Sequence, residues 1–436
     1  MPYLLNVVYL GLIAILSPWL LFNSLRKGKY RAGVAEKWFG RVPIRSGERP
    51  CIWLHAVSVG EVNLLAPLLQ RLQAAHPDWE YVISATSATG YALAKQKYAA
   101  HEVFYAPLDF TWAVKNAFRR LRPDVLILAE LELWPNLLWA AQRHGAKVAI
   151  FNGRLSENSF RGYRRLRPLV RRVLQNVDLV AAQNETYAER FRQLGAPRVE
   201  VTGSLKFDGA EASRENPRTH KLAALAGIPS RDLVFLAGST QAPEEELALA
   251  SYLALREAFP KLRLILVPRH PERFHEVAEL LKRSGVNWEK RSRLENRKPS
   301  DAARVLLVDV VGELGAWWGT AHIGFVGGSL LNPRGGQNMI EPAAYGVATC
   351  FGPSTRNFRD VVQLFTANNA AIVVHSGEEL TRFVRQALQD RSFREQLGAR
   401  AQELVRSQQG ATERTLALLE EYCLPAKNQK TGRQAA

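Results

Sequence analysis

The sequence predicts an α/β chain of two Rossmann-like halves facing a cleft, carried behind an N-terminal membrane anchor. Three observations predict it. Short β-rich runs alternate with amphipathic helical stretches in two successive series, the pattern of parallel sheets covered by helices. At 436 residues, with 47% hydrophobic and 9% aromatic composition, the chain can bury two full cores. Residues Leu4 to Phe22 form an almost unbroken apolar run, long enough to cross or enter a bilayer.

The apolar run comes first. Arg26, Lys27, Lys29 and Arg31 follow it at once, which places the body of the protein on the cytoplasmic side by the positive-inside rule. A cleaved signal peptide would carry basic residues ahead of the run and an Ala-x-Ala-like exit, and the sequence has neither. Pro18 and Asn6 leave a second arrangement open, a monotopic helix that enters the bilayer without spanning it. The expected organisation is an anchor over 1–23, a first Rossmann-like half over 24–210, a second over 211–425 and a polar tail over 426–436.

In the first half, Cys51–His55, Tyr81–Ser84, Val103–Tyr105, Val125–Leu128, Val148–Phe151 and Leu179–Ala182 read as strands, with helices such as Glu61–Ala74 and Trp134–His144 between them. Asp208–Arg231, polar and holding Pro217 and Pro229, reads as a linker. The alternation then restarts with Leu233–Leu236, Leu262–Val267, Val305–Val308, His322–Val326, Ala348–Phe351 and Ala371–Val374. In such folds ligands lie at the carboxyl ends of the strands.

Polar residues gather at those exits. Glu61 follows the first strand in the first turn of a helix, where a carboxylate can act as a general base or simply complement the helix dipole. Glu130 and Glu132 follow the fourth, and strand alternation would put both on one face. Gly203–Asp208 closes the half with Lys206 in it. In the second half Arg269 can pair with a phosphate, and the backbone of Val310, Val311 and Gly312 can hydrogen-bond a base edge. Gly335-Gly336-Gln337-Asn338-Met339-Ile340-Glu341, just after Gly327-Gly328-Ser329, suits a nucleotide. Glycines let backbone N–H groups approach a phosphate, a helix starting after Asn338 favours the anion, and Glu341 can accept from a ribose hydroxyl.

The net charge of +17 implies an anionic surface or substrate. Cys51, Cys350 and Cys423 are scattered among apolar neighbours, as reduced buried thiols are, so the bulk faces a reducing cytoplasm. The sequence has no Gly-x-Gly-x-x-Gly, no phosphate-loop lysine motif, no His-Glu-x-x-His and no Asp-x-Asp. Dinucleotide redox, ATP hydrolysis and metal-chelated sugar-nucleotide chemistry are therefore disfavoured.

Taken together, the anchor, His55-Ala-Val-Ser-Val-Gly-Glu61, Glu130-Leu-Glu-Leu-Trp-Pro-Asn136, Leu205-Lys-Phe-Asp208, Pro268-Arg-His-Pro-Glu-Arg273 and Gly335–Pro342 resemble the 3-deoxy-D-manno-octulosonic acid (Kdo) transferases of lipopolysaccharide synthesis. The match runs in order from the anchor to about Pro353 and is specific as a set; the family's first motif often has a shorter residue where Val57 stands. The resemblance implies a GT-B fold and an enzyme of the inner membrane facing the cytoplasm. It implies CMP-Kdo as donor and a phosphorylated lipid A precursor, lipid IVA, as acceptor. By that likeness Glu61 is the general base and Glu130 and Lys206 assist, with Glu132 an alternative to Glu130. Arg269, His270, Val310, Val311, Gly312, Gln337, Asn338, Met339, Ile340 and Glu341 line the CMP site.

The implied chemistry is an inverting, metal-independent displacement that needs no cofactor. The arginines at 161, 164, 165, 167, 171 and 172, interleaved with apolar residues, fit an anionic membrane surface. Two rival classes explain less. A basic nucleic-acid-binding protein needs neither anchor nor paired carboxylates, and no aromatic stacking motif appears. A soluble GT-B-like sugar-nucleotide epimerase has no use for the anchor.

Overall fold

The computed structural model describes residues 2–27, 32–295, 300, 302–331 and 335–424. The expected polar tail over 426–436, and Lys29 and Arg31 of the basic cluster, lie outside the described residues. The chain forms two compact units, Met1–Asp208 with Gln409–Ala436, and Gly209–Gln408.

The first unit holds strands β1 (Cys51–Ala56), β2 (Glu80–Ala85), β3 (Glu102–Tyr105), β4 (Val125–Ala129), β5 (Lys147–Gly153), β6 (Leu179–Ala182) and β7 (Val199–Val201). They pair in parallel in the order β3-β2-β1-β4-β5-β6-β7. Every residue of β1 and β4 is buried because helices cover both faces of the sheet. Trp53, Phe104, Phe118 and Leu128 fill one side, and Leu54, Leu65, Ile83 and Ile127 the other. The strand order reverses between β1 and β4, so the loops leaving these strands part and open a crevice at their carboxyl ends.

The last helix, Ala411–Tyr422, returns to this unit. The expected second domain, 211–425, is therefore shorter than foreseen. The cause is local: the Asp208 carboxylate accepts hydrogen bonds from the backbone N–H groups of Gly410, Ala411 and Thr412 and from the Thr412 hydroxyl, capping the helix. Ala411, Leu419 and Cys423 then complete the apolar cluster under β1. All three cysteines are free and buried.

Pro2–Lys27 forms one helix. Among the described residues no helix is long and apolar enough to cross a membrane, so the spanning form of the expected anchor is not found. The helix turns polar residues inward. Asn6 is buried and bonded to Thr111, and the Tyr9 hydroxyl donates to Asp109, while Leu4, Val7, Val8, Leu10, Leu12, Ile15 and Leu16 are exposed.

The second unit holds β8 (Leu233–Thr240), β9 (Leu262–Pro268), β10 (Trp288–Lys290), β11 (Val305–Leu307), β12 (Ile323–Val326), β13 (Ala348–Phe351) and β14 (Ile372–Val373). The parallel order is β10-β11-β9-β8-β12-β13-β14, with the reversal between β8 and β12. The segment expected as linker carries a helix, Pro217–Leu225. Proline is preorganised for a first helical position, and the Asn216 side chain accepts from Thr219 N–H at 2.8 Å. Arg214 docks its start on the unit by donating to the carbonyls of Tyr345, Gly319 and Ala321.

Candidate active site

Glu61 stands at the first unit's reversal point, where β1 gives way to the helix Val59–Ala75. Ser58 caps that helix. Its hydroxyl donates to Glu61 Oε1 at 2.8 Å and accepts from Glu61 N–H, and Val57 N–H donates to Glu61 Oε2 at 2.8 Å. This reciprocal arrangement satisfies the orphan donors of the helix start and holds the carboxylate in one place. Burial raises the Glu61 pKa above the ordinary carboxylate value. The hydrogen bonds from Val57 and Ser58 pull it back in part, and the charge of Glu130 pushes it up again.

Glu130 and Glu132 do join Glu61, though not by strand alternation. β4 ends at Ala129, and Glu130 adopts a left-handed backbone with φ 59°, a conformation uncommon for a residue with a Cβ. Its N–H donates to Phe151 O at 3.0 Å, which holds the turn. Glu132 accepts from the indole N–H of Trp134 at 2.6 Å. Burial lifts the Glu132 pKa to about 7, against the Trp134 bond, and the charges of Glu61 and Glu130 add to the lift. The charge of Glu130 thus acts on both neighbours, and Glu61 and Glu132 each resist ionising beside it.

Lys206 lies in the turn after β7 between buried Leu205 and Phe207, and Leu205 N–H donates to Asn152 Oδ1 at 3.1 Å.

In the second unit the predicted residues collect at the carboxyl ends of β9, β11 and β12. Arg269 and His270 are exposed directly after β9, with Arg269 N–H bonded to Thr240 O. Val310, Val311 and Gly312 form the turn after β11, where Val311 is 73% exposed and Gly312 has φ 87°. Asn338 accepts from Ile340 N–H and donates to Glu341 Oε1 at 2.9 Å, starting the short helix Ile340–Ala344. The Glu341 pKa is raised by burial and eased down by the bond from Asn338 and by the charge of Arg269. Gln337 closes on Gly328, where an added Cβ would stand 3.3 Å from its side chain. Met339 and Ile340 are corrected in part. Both side chains are fully buried in the core, which leaves only their backbone to face a ligand.

One residue in this region escaped the sequence reading. Glu244 is fully buried, and its carboxylate accepts from four backbone N–H groups, those of Gln241, Gly328, Ser329 and Leu330. It ties the loop after β8 to the loop after β12, across the second reversal point. The only local signal was the run Glu244-Glu245-Glu246, which looks like an ordinary acidic first turn. Among the described residues no three His, Cys, Asp or Glu side chains come together as a metal-ligand set.

Comparison with known proteins decides what family uses this arrangement. Residues 31–209 match the family described as 3-deoxy-D-manno-octulosonic-acid transferase (kdotransferase). The 3-deoxy-D-manno-octulosonic acid transferase of Haemophilus influenzae is 32% identical over 95% of this chain and 98% of its own. That of Bordetella pertussis is 33% identical over 94% and 97%. This chain belongs to the Kdo transferase family. Membership decides against the epimerase and nucleic-acid-binding alternatives. A solved structure of a glycosyltransferase from Rickettsia africae superposes on this Kdo transferase with a TM-score of 0.56 at 12% identity, covering 86% of this chain and 99% of that one. A putative UDP-N-acetylglucosamine 2-epimerase from Listeria monocytogenes gives 0.55 at 12%, covering 86% and 96%. These two likenesses speak to fold alone: two Rossmann-like units of GT-B-like kind.

Proposed function

We propose that this Kdo transferase moves Kdo from CMP-Kdo to a hydroxyl of a phosphorylated lipid A precursor, lipid IVA, with inversion and without a metal. Glu61 is the general base. As the acceptor oxygen bonds to the anomeric carbon, its proton passes to Glu61. The bond from that carbon to the phosphate oxygen breaks, and the electron pair leaves with CMP. A sugar hydroxyl is a weak nucleophile at neutral pH, and proton removal in the transition state contributes a factor of about 10² to 10⁴.

The observation that carries this reading is the placement of Glu61. Its carboxylate is fixed by the capping box at a topological reversal point and has its pKa raised by burial and by Glu130. Glu130 keeps the local field that favours a proton on the group, and Lys206 assists. In the second unit Arg269 and His270 would meet the phosphate and Glu341 the ribose. The backbone of Val310, Val311 and Gly312 would read the base edge, while Gln337, Asn338 and the backbone of Met339 and Ile340 complete the CMP site.

The inward-polar, outward-apolar character of Pro2–Lys27 supports a monotopic anchor in the inner membrane, with the catalytic units on the cytoplasmic side. The exposed Arg164, Arg165, Arg167, Arg171 and Arg172 suit anionic headgroups and a phosphorylated acceptor. Incubation of the purified chain with CMP-Kdo and lipid IVA, followed by mass spectrometry, tests the reading. The expected product is lipid IVA heavier by Kdo, with stoichiometric CMP. Absence of that product from folded enzyme would overturn it.

A further inference from the structure

We propose that Asn6 and Tyr9 of the N-terminal helix, acting through Asn136 and Asp109, are positioning residues for the Glu130–Trp134 loop. The helix would then serve the transfer reaction itself as well as hold the enzyme at a bilayer. The inference rests on the carboxylate group being catalytic, as argued above.

The helix Pro135–Arg143 begins directly after this loop, and its cap residue, Trp134, offers no side-chain hydrogen bond to it. A helix start without a cap leaves N–H groups unpaired. Here a carboxylate from another loop takes that role. Buried Asp109 accepts from Asn136 N–H at 3.1 Å through Oδ2 and from Leu137 N–H at 2.8 Å through Oδ1. The Asn136 side chain in turn donates to Asp109 O at 2.5 Å. The end of the loop is therefore set by where Asp109 stands.

The N-terminal helix holds both partners. Tyr9 donates its hydroxyl to Asp109 Oδ2 at 3.0 Å. Asn6 Oδ1 accepts from Asn136 Nδ2 at 3.4 Å and from Thr111 N–H at 3.1 Å, and Asn6 Nδ2 donates to the Thr111 hydroxyl at 2.7 Å. From Asn136 the chain runs back two residues to Trp134, whose indole N–H holds Glu132 at 2.6 Å. A continuous path of hydrogen bonds and one proline-led helix start thus joins the helix to the carboxylate group.

Attachment alone does not call for this design. An ordinary surface helix turns its apolar stripe inward. This one exposes Leu4, Val7, Val8, Leu10 and Leu12 and buries Asn6, 5% exposed. A buried amide is costly unless paired, so burying one gains little adhesion but fixes a single geometry. That is the property a positioning contact needs.

The test is steady-state kinetics of full-length Tyr9→Phe and Asn6→Ala on detergent-dispersed lipid IVA, with vesicle co-sedimentation measured in parallel. We expect kcat to fall about 3- to 10-fold for each, the scale of one to a few lost hydrogen bonds. The KM for CMP-Kdo and binding to vesicles should stay unchanged. The acid limb of the kcat profile, set by Glu61, should move to higher pH, because a loosened loop admits water to Glu132, which then ionises more readily and adds negative charge beside the base. A purely structural helix would not move that limb. Tyr9→Phe removes one hydroxyl and carries the test even if Asn6→Ala fails to fold. Wild-type kcat and an unmoved acid limb in Tyr9→Phe would overturn the proposal. A wild-type enzyme that makes no Kdo product would instead overturn the functional reading on which it rests.

Discussion

Ser58 and Glu61 hold each other twice: the serine hydroxyl donates to Glu61 Oε1 at 2.8 Å and accepts from Glu61 N–H. The same pair ends a strand, starts a helix and aims a carboxylate. A glutamine at position 61 can keep its backbone bond to Ser58 and accept from Val57 through its carbonyl, while its amide, standing where Oε1 was, donates to the Ser58 hydroxyl instead of accepting from it. Glu61→Gln should therefore melt like the wild type and bind CMP equally well, yet turn over about 10²-fold more slowly or worse. Turnover near wild type would remove Glu61 from the base role.

Glu132 gives a stability signature with a definite sign. Its folded pKa, about 7, lies above the unfolded value because burial disfavours the charge. Its contribution is therefore fully present below about pH 4.3, the unfolded carboxylate range, and is lost as pH rises through 7. Glu132→Gln cannot ionise, so it should raise the melting temperature at pH 8 and leave it nearly unchanged at pH 4. Equal shifts at both pH values would contradict this account.

Replacing Glu244 should be severe. Glu244→Ala strips the partner from four buried N–H groups, with an expected loss on the order of 3 kcal/mol or more. Calorimetric melting and CMP titration should both register it, since the loops after β8 and β12 lose their tie. A variant with unchanged stability would show that water replaces the carboxylate.

Arg269→Ala should weaken CMP binding without changing the fold, because Arg269 is exposed and spends its backbone, not its guanidinium, on holding Thr240 O. Isothermal titration with CMP measures this directly. Unchanged affinity would assign the phosphate to another group.

Charge reversal at Arg164 and Arg165 should slow transfer on anionic vesicles more than on neutral ones. Added salt should narrow the gap, since exposed charges are screened within about 8 Å at physiological ionic strength. Equal slowing on both vesicle types would make these arginines part of acceptor recognition instead of membrane contact.

Much of the fold is legible in the chain. Buried parallel strands are written as dense apolar runs, and twelve of the fourteen strands among the described residues follow from them. The two that do not, β7 and β10, are three-residue strands at sheet edges, too short for a run to form. The candidate carboxylates were legible because strand exits are where polar residues interrupt an apolar pattern. Their true geometry was not: Glu130 leaves the strand with φ 59°, and no periodicity encodes a left-handed residue that is not glycine. Glu244 and Asp208 were missed as anchors for a shared reason. Each serves backbone groups far away in sequence, Glu244 at Gly328 and Asp208 at Gly410. Likewise the apolar run of the first helix announced a membrane segment, while the inward role of Asn6 depended on Thr111 and Asn136, unseen until the chain folded.

Asp208 and Gly410 are bonded to each other, and everything from Gly209 to Gln408 lies between them. The second unit is thus an insert, an excursion whose entrance and exit are stitched at one point on its host. Such an insert can be exchanged as a cassette, since its two ends leave and rejoin the host side by side. Evolution could accordingly have replaced the second unit by trading one uninterrupted stretch of gene, leaving the first unit's sheet and its terminal helix intact.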